Sequence, residues 1–415
     1  MPAEDVVDYA ARAALMDSIR RDESLFAEKA YRVGFPNALR AFSRATSIEA
    51  SGKYKVGLVA TENKEVHNYI QVACKTSPPD TVEEVSGWRK INDNGFWTYT
   101  PNPLDSSSSF PGDLEPIEVC FEAADKIELE AMVGRCMMTT KGDTGTRCRL
   151  TQGLVIRALN TRWAITVGHG FSNQGRTHAG NAVQFCTLVP EGTPNGAECT
   201  ACQQNKCTSV CETVNRVTVA SGAADIITFN PKPTELDLDW MDFGLHKVPY
   251  NPAIKLTKLV VSDIILKIEK QLKGKNPEAY DELAGPQNGL VGVGDEFYSY
   301  KLAQTLMKSR PEGVYLFQRG KTTGWTFARL YNVTDTIIRA NYILPTTQPG
   351  DCGGIWWIID AEKHRAFPLG YHYGRADDVA LIAPYLTALE QLMAIDTRFN
   401  TYQFVHGDSY VWDSS

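Results

Sequence analysis

The 415-residue chain has no run of eighteen consecutive apolar residues, so no helical membrane span is expected. Its first residues, Met1-Pro2-Ala3-Glu4-Asp5, lack the charged-then-apolar pattern of a secretory signal, which points to a cytoplasmic setting. Net positive charge is also missing. The 42 Lys and Arg face 49 Asp and Glu, and the balance of −7 argues against general nucleic-acid affinity. The local run Lys267, Lys270, Lys273 and Lys275 reads as a solvated helix face. No internal repeat is visible.

What is present is a composition for burial: 43% hydrophobic and 22% charged, enough for two or three cores. Residues 1 to about 50 read as helical, because Val6, Ala10, Ala13, Met16 and Ile19 or Arg20 recur near a period of 3.6. Tyr54 to about Cys120 is mixed, and the turn-rich Pro101-Asn102-Pro103-Leu104-Asp105 with Ser106 to Ser109 reads as a linker.

Chemistry concentrates in Gln348-Pro349-Gly350-Asp351-Cys352-Gly353-Gly354, followed by Gly370-Tyr371-His372. Glycines beside a nucleophile let backbone amides bend back toward an oxyanion. The turn resembles the Gly-Asp-Ser-Gly-Gly of trypsin-like hydrolases with cysteine in place of serine. Such a triad runs in the order His, Asp, nucleophile, and both partners are found upstream. Arg162-Trp163-Ala164-Ile165-Thr166-Val167-Gly168-His169 is an apolar strand ending in histidine, with Gly153-Leu154-Val155-Ile156 as its hairpin partner. Asp242, in Trp240-Met241-Asp242-Phe243-Gly244-Leu245, is the favoured acid; Asp225 is its rival, with Asp237 and Asp239 nearby. A lone Cys is more often a small buried hydrophobe, and a lone His in a strand a satisfied core residue. Their appearance together, in order and each in its own motif, favours catalysis.

With Gly-x-His downstream, the set resembles the chymotrypsin-like (3C-like) cysteine proteases of picorna-like positive-strand RNA viruses, over about residues 126 to 395. Gly320-Lys321-Thr322-Thr323-Gly324-Trp325-Thr326 resembles a hairpin of the second barrel in that fold, and Gly292-Val293-Gly294-Asp295-Glu296-Phe297-Tyr298 its first strand. The resemblance implies a mainly β fold: a double antiparallel β-barrel of the trypsin/chymotrypsin kind with six strands in each barrel, behind an α-rich N-terminal extension. The expected division is 1–125 extension, 126–250 first barrel, 251–287 linker with a helix, 288–400 second barrel with a closing helix from Ile382, and 401–415 tail. It implies a Cys352–His169–Asp242 triad and an oxyanion hole from the N–H groups of Gly350 and Cys352. It also implies a first subsite in which Thr347 and His372 bond the side-chain carbonyl of a P1 glutamine, glutamate being the next choice. The substrate would be a polypeptide, in a viral setting the polyprotein, processed in the host cytoplasm. A cellular trypsin-like protease with a cysteine nucleophile, and a non-catalytic protease-fold scaffold or capsid protein, are the alternatives.

Catalysis of this kind requires no cofactor. Ten cysteines are present, and four follow Cys199-x2-Cys202-x4-Cys207-x3-Cys211, with Cys186 just before. In a reducing compartment clustered thiols favour a metal over disulfides, and four thiolates suit tetrahedral zinc. Only one Cys-x2-Cys pair occurs, so structural zinc, free thiols and disulfides all remain open readings.

Overall fold

The computed structural model describes residues 9–404 apart from 62–64, 80–84, 86, 93–94, 104–110, 124–136, 141–146, 152, 173–176, 187–215, 230–241, 249–260, 285–291, 295, 311–312, 321–322 and 361. The chain opens with helices α1 (Tyr9–Arg32) and α2 (Phe35–Thr46). Pro36 in the first turn of α2 and the left-handed Gly34 before it set the break between them. In α2, Phe35, Leu39 and Phe42 fall on one face and are buried. Within α1 the later part of the expected stripe turns inward, with Ile19 buried and Met16 partly buried. Ala10 and Ala13 are exposed, whereas Arg12 is partly buried and its guanidinium meets the buried carboxylate of Asp360 at 2.8 Å. A carboxylate buried far along the chain needs a cation, and Arg12 supplies it at the start of the helix.

Five strands follow: β1 (Lys55–Ala60), β2 (Val66–Cys74), β3 (Trp88–Lys90), β4 (Phe96–Tyr99) and β5 (Ile117–Ala123). They form one sheet, and α2 covers it through Phe42, which stacks on Phe121 at 5.1 Å and on Trp88 at 4.4 Å. The presumed linker at 101–109 therefore joins β4 to β5, two hydrogen-bonded neighbours of this sheet, rather than separating domains.

The next unit comprises β6 (Met137–Thr140), β7 (Arg147–Leu150), β8 (Val155–Ala158), β9 (Thr161–Thr166), β10 (Ala182–Cys186), β11 (Arg216–Ser221), β12 (Ile226–Phe229) and β13 (Phe243–Lys247). Its described strands form a four-stranded sheet, β11-β10-β6-β7, and a five-stranded one that includes β12-β13-β9-β8. Leu159 and Asn160, both at positive φ, turn β8 into β9, as a two-residue hairpin of the tightest kind requires. Helices Val261–Leu272 and Pro277–Ala284 then lead to β14 (Gly292–Val293) and helix Tyr300–Ser309. Gly292–Tyr298 does not supply a barrel strand. Only β14 pairs, parallel to a later strand, and Gly294 lies so close to Phe367 that a Cβ there would fall 2.0 Å from its ring.

The remaining strands are β15 (Tyr315–Gly320), β16 (Gly324–Val333), β17 (Ile338–Leu344), β18 (Ile355–Asp360), β19 (Arg365–Ala376), β20 (Val379–Pro384) and β21 (Tyr402–Phe404). Their order β15-β18-β19-β20-β17-β16, with β16 pairing back to β15, closes a six-stranded antiparallel barrel. The chain is thus mainly β with a closed six-stranded antiparallel barrel, a second β unit and an N-terminal helical segment. The closing helix begins at Tyr385, since Ile382–Pro384 belong to β20. The expected tail instead returns as β21 to pair with β8. Among the described residues no helix is long and apolar enough to cross a membrane.

The N-terminal sheet is continuous with the barrel. Strand β16 outruns β15, and β1 takes its free edge at Leu58↔Val333 and Val59↔Asn332. Arg339 of β17 seals this junction. Its guanidinium is buried, lies 3.5 Å from Glu122 of β5 and donates to the Cys120 sulfur, while burial pushes the Cys120 thiol up to about 11. Glu122→Ala would leave this guanidinium buried without its anion, and should cost about 3–5 kcal/mol in denaturant unfolding. The double replacement Glu122→Leu with Arg339→Met should lose less than Glu122→Ala alone.

Candidate active site

His169 stands three residues past the end of β9 in the turn closed by Phe171 N–H on Gly168 O, and Asp242 directly precedes β13. Antiparallel pairing at Gly244↔Thr166 carries the two strand ends past each other and brings residue 242 level with residue 168. Asp242 then accepts twice from His169: Oδ1 from the backbone N–H at 2.7 Å, and Oδ2 from Nδ1–H. A carboxylate at Nδ1 places the ring proton there and leaves Nε2 as the lone-pair nitrogen. That Nε2 is buried and has no hydrogen-bond partner among the described residues. Asp225 sits elsewhere. It pairs with Lys247 at 2.9 Å on the surface, and this hydrogen bond holds its carboxyl below the usual range. Asp237 and Asp239 lie outside the described residues.

The turn at Gly350–Gly354 joins β17 to β18 and is docked on the other β unit. Thr151 donates its backbone N–H to Cys352 O at 2.8 Å and its hydroxyl to Gly350 O at 2.9 Å. Gly353, at φ 88°, admits this approach, since a Cβ there would lie 2.3 Å from both Thr151 O and Thr166 Oγ1. Thr166 is three residues before His169, so the loop and the histidine share one support. The buried Asp351 carboxylate accepts from Thr323 N–H at 3.2 Å and Gln348 N–H at 3.0 Å, tying the turn to the β15–β16 hairpin. The Cys352 side chain is buried and its thiol donates to Tyr373 O at 3.2 Å. Gly350 adopts φ 105°, and its N–H bonds no group among the described residues.

Backbone bonds bring His372 to the same loop: Gly353 N–H donates to His372 O at 2.7 Å, and His372 N–H to Gly354 O at 2.8 Å. Thr347 and His372 are both fully buried. The Thr347 hydroxyl pairs with Tyr342 OH, and Nδ1 of His372 accepts from the Trp356 indole at 3.3 Å. Tyr371 packs on Phe243 at 6.0 Å, and burial, then the charge of Asp242, hold its phenol well above the usual range. Thr151, Tyr342, Trp356 and Tyr373 carried no signal in the sequence, because each acts through a partner distant along the chain or across a strand. Cys199, Cys202, Cys207 and Cys211 lie outside the described residues, and no cluster of metal-ligating side chains occurs among the described ones.

No family model matches the chain, and no curated protein matches it. Solved structures similar to it include a glutamic acid-specific serine protease that uses a histidine triad in substrate binding, at 12% identity and TM-score 0.27, covering 63% of this chain and 97% of that one. Thermobifida fusca protease A is similar at 14% identity and TM-score 0.28, over 63% of this chain and 96% of that one. Human heparin binding protein is similar at 10% identity and TM-score 0.30, over 65% and 96%. Superposition this loose carries no argument about activity.

The two acids should separate in stability. Asp242→Ala removes the acceptor of two buried donors and should cost about 1–3 kcal/mol, whereas Asp225→Ala breaks a surface pair worth under about 1 kcal/mol. Urea unfolding of the two variants measures the difference.

Proposed function

We propose that this chain is a cysteine endopeptidase that cleaves after glutamine, with glutamate the next choice, in the manner of the polyprotein-processing proteases it resembles. The observation that carries the reading is His169: a buried carboxylate holds both its ring Nδ1–H and its backbone N–H, and this pair belongs to the unit against which the Cys352 turn docks.

In this reading the Cys352 thiol turns from Tyr373 O to Nε2 of His169 and gives up its proton there. The thiolate attacks the scissile carbonyl carbon, and the oxyanion is held by the N–H groups of Gly350 and Cys352. Collapse breaks the C–N bond, the leaving amine takes the proton from Nε2, and a thioester remains. Water then adds to the thioester as Nε2 takes its proton, and that proton returns to the sulfur as the acid leaves. Asp242 keeps the ring in the tautomer both halves need and stabilises the imidazolium between them. At the first subsite, Thr347 and His372 would donate to the uncharged side-chain carbonyl of P1 glutamine. A site built on such donors discriminates against residues lacking the acceptor, because its own polar groups would be left unpaired.

Cys352→Ala and His169→Ala should each abolish peptide cleavage with the fold retained, and the double variant should be no worse, since the two act as a unit. Asp242→Asn should lower kcat/KM by up to about 10⁴-fold, with Asp225→Asn near unchanged. A P1 library should be cut after Gln well ahead of Glu, Lys, Arg, Phe or Leu. Cleavage after basic or large apolar residues would move the chain to a cellular trypsin-like specificity, and full activity of Cys352→Ala would end the thiol assignment.

A further inference from the structure

We infer that Gln318 and Thr326 bind a buried water inside the six-stranded barrel, and that the amide fixed by this water is the floor on which the Gly350–Gly354 turn rests. The positioning role rests on the cysteine-protease reading above, whereas the water site stands without it. Most of the barrel interior is apolar: Leu316, Ala328, Ala340, Ile358, Leu369 and Ile382, one from each of its six strands, pack together. Two residues nearer the turn the layer changes character. Gln318 of β15 is level with Thr326 of β16 on one side and with Trp356 of β18 on the other, so these three side chains share the interior face. Gln318 and Thr326 are fully buried. Both amide atoms of Gln318 and the hydroxyl of Thr326 have no hydrogen-bond partner among the described residues. The Trp356 indole is engaged with His372 at 3.3 Å and does not supply one.

Directly opposed residues of an antiparallel pair hold their Cβ atoms about 5 Å apart, which places the three polar atoms around one small volume. Gln318 offers a donor and an acceptor, the threonine hydroxyl offers either, and neither residue is charged. That set suits a water molecule, which needs two to four polar partners, rather than an ion. The amide lies directly beneath the turn. A Cβ added at Gly354 would stand 2.9 Å from Gln318 Oε1 and 2.9 Å from Asp351 O, so only glycine lets the amide approach the loop this closely. Gly354 N–H in turn donates to Asp351 O at 3.0 Å. Asp351 O and the Cys352 N–H belong to one planar peptide group, so a tilt of the carbonyl is a tilt of the proposed oxyanion donor. A fixed amide under Gly354 therefore holds that N–H in its direction.

A crystal structure of the unchanged full chain tests the site without any variant: an ordered water should lie within about 3.2 Å of side-chain atoms of both Gln318 and Thr326. A protein group in that place, or no ordered water there, overturns the inference. Melting temperature reads the same site in solution. Were the amide merely unpaired, Gln318→Met, of similar length and shape, would raise it, because an apolar side chain has no polar atom to leave unmade. A bound water reverses the sign: Gln318→Met and Thr326→Val should each lower the melting temperature, and the double variant should lose less than their sum, since both remove one shared water. A rise in Gln318→Met, or strict additivity, overturns the water. With a peptide substrate, Gln318→Met should lower kcat about tenfold, the size of one hydrogen bond, while KM stays the same, because an oxyanion donor acts only in the transition state. An unchanged kcat would end the positioning role. If the unchanged chain cleaves no peptide, the protease reading falls, while the crystal and melting measurements still decide the water.

Discussion

The docking of Cys352's turn against Thr151 is the constraint on which the site depends. His169 and Asp242 stand on one β unit and Cys352 on the other, so how they face one another depends on the two surfaces staying in register. Two hydrogen bonds from a single threonine and the missing Cβ of Gly353 hold that register. The apolar core that surrounds it is shared, with Val167, Phe171 and Phe243 from one side and Cys352, Tyr371 and Tyr373 from the other. Burial supplies the energy of this interface, and the threonine bonds supply its geometry.

The N-terminal module belongs to the same mechanical system. Its sheet continues the barrel through β1 and β16, α1 reaches the barrel through Arg12 with Asp360 and the helix Tyr300–Ser309 through Asp22 with Lys308, and Arg339 is buried against Glu122 at the seam. Tyr373 lies in the field of Glu122 and Arg339, while its carbonyl receives the Cys352 thiol. Helix α1 and the sheet β1–β5 therefore brace the barrel that carries His372 and Tyr373. That gives them a physical role in the site that their sequence does not advertise.

Local chemistry was legible in the sequence because it is local. The glycine-bracketed turn at Gly350–Gly354, the strand Thr161–Thr166 that leads to His169 and the hairpin at Gly320–Gly324 are each specified within about ten residues, where glycine freedom and period-two alternation act directly. The join between the N-terminal sheet and the barrel was not legible, because β1 meets β16 about 270 positions away. The inward turn of Arg12 near the start of α1 was hidden for the same reason, since its partner is Asp360.

The sequence by itself determined which chemistry is available: a cysteine between glycines, a histidine at the end of an apolar strand, and a Gly-x-His beyond. It favoured Asp242 over Asp225, though both precede a strand. The pairing of β13 with β9 sets Asp242 against His169 and leaves Asp225 to Lys247 on the surface. The contact between Trp356 and His372 was likewise decided by tertiary structure, because the indole is brought to Nδ1 by strand register and not by proximity in the chain. Residue type sets what a side chain can donate or accept, and only the fold sets what it faces.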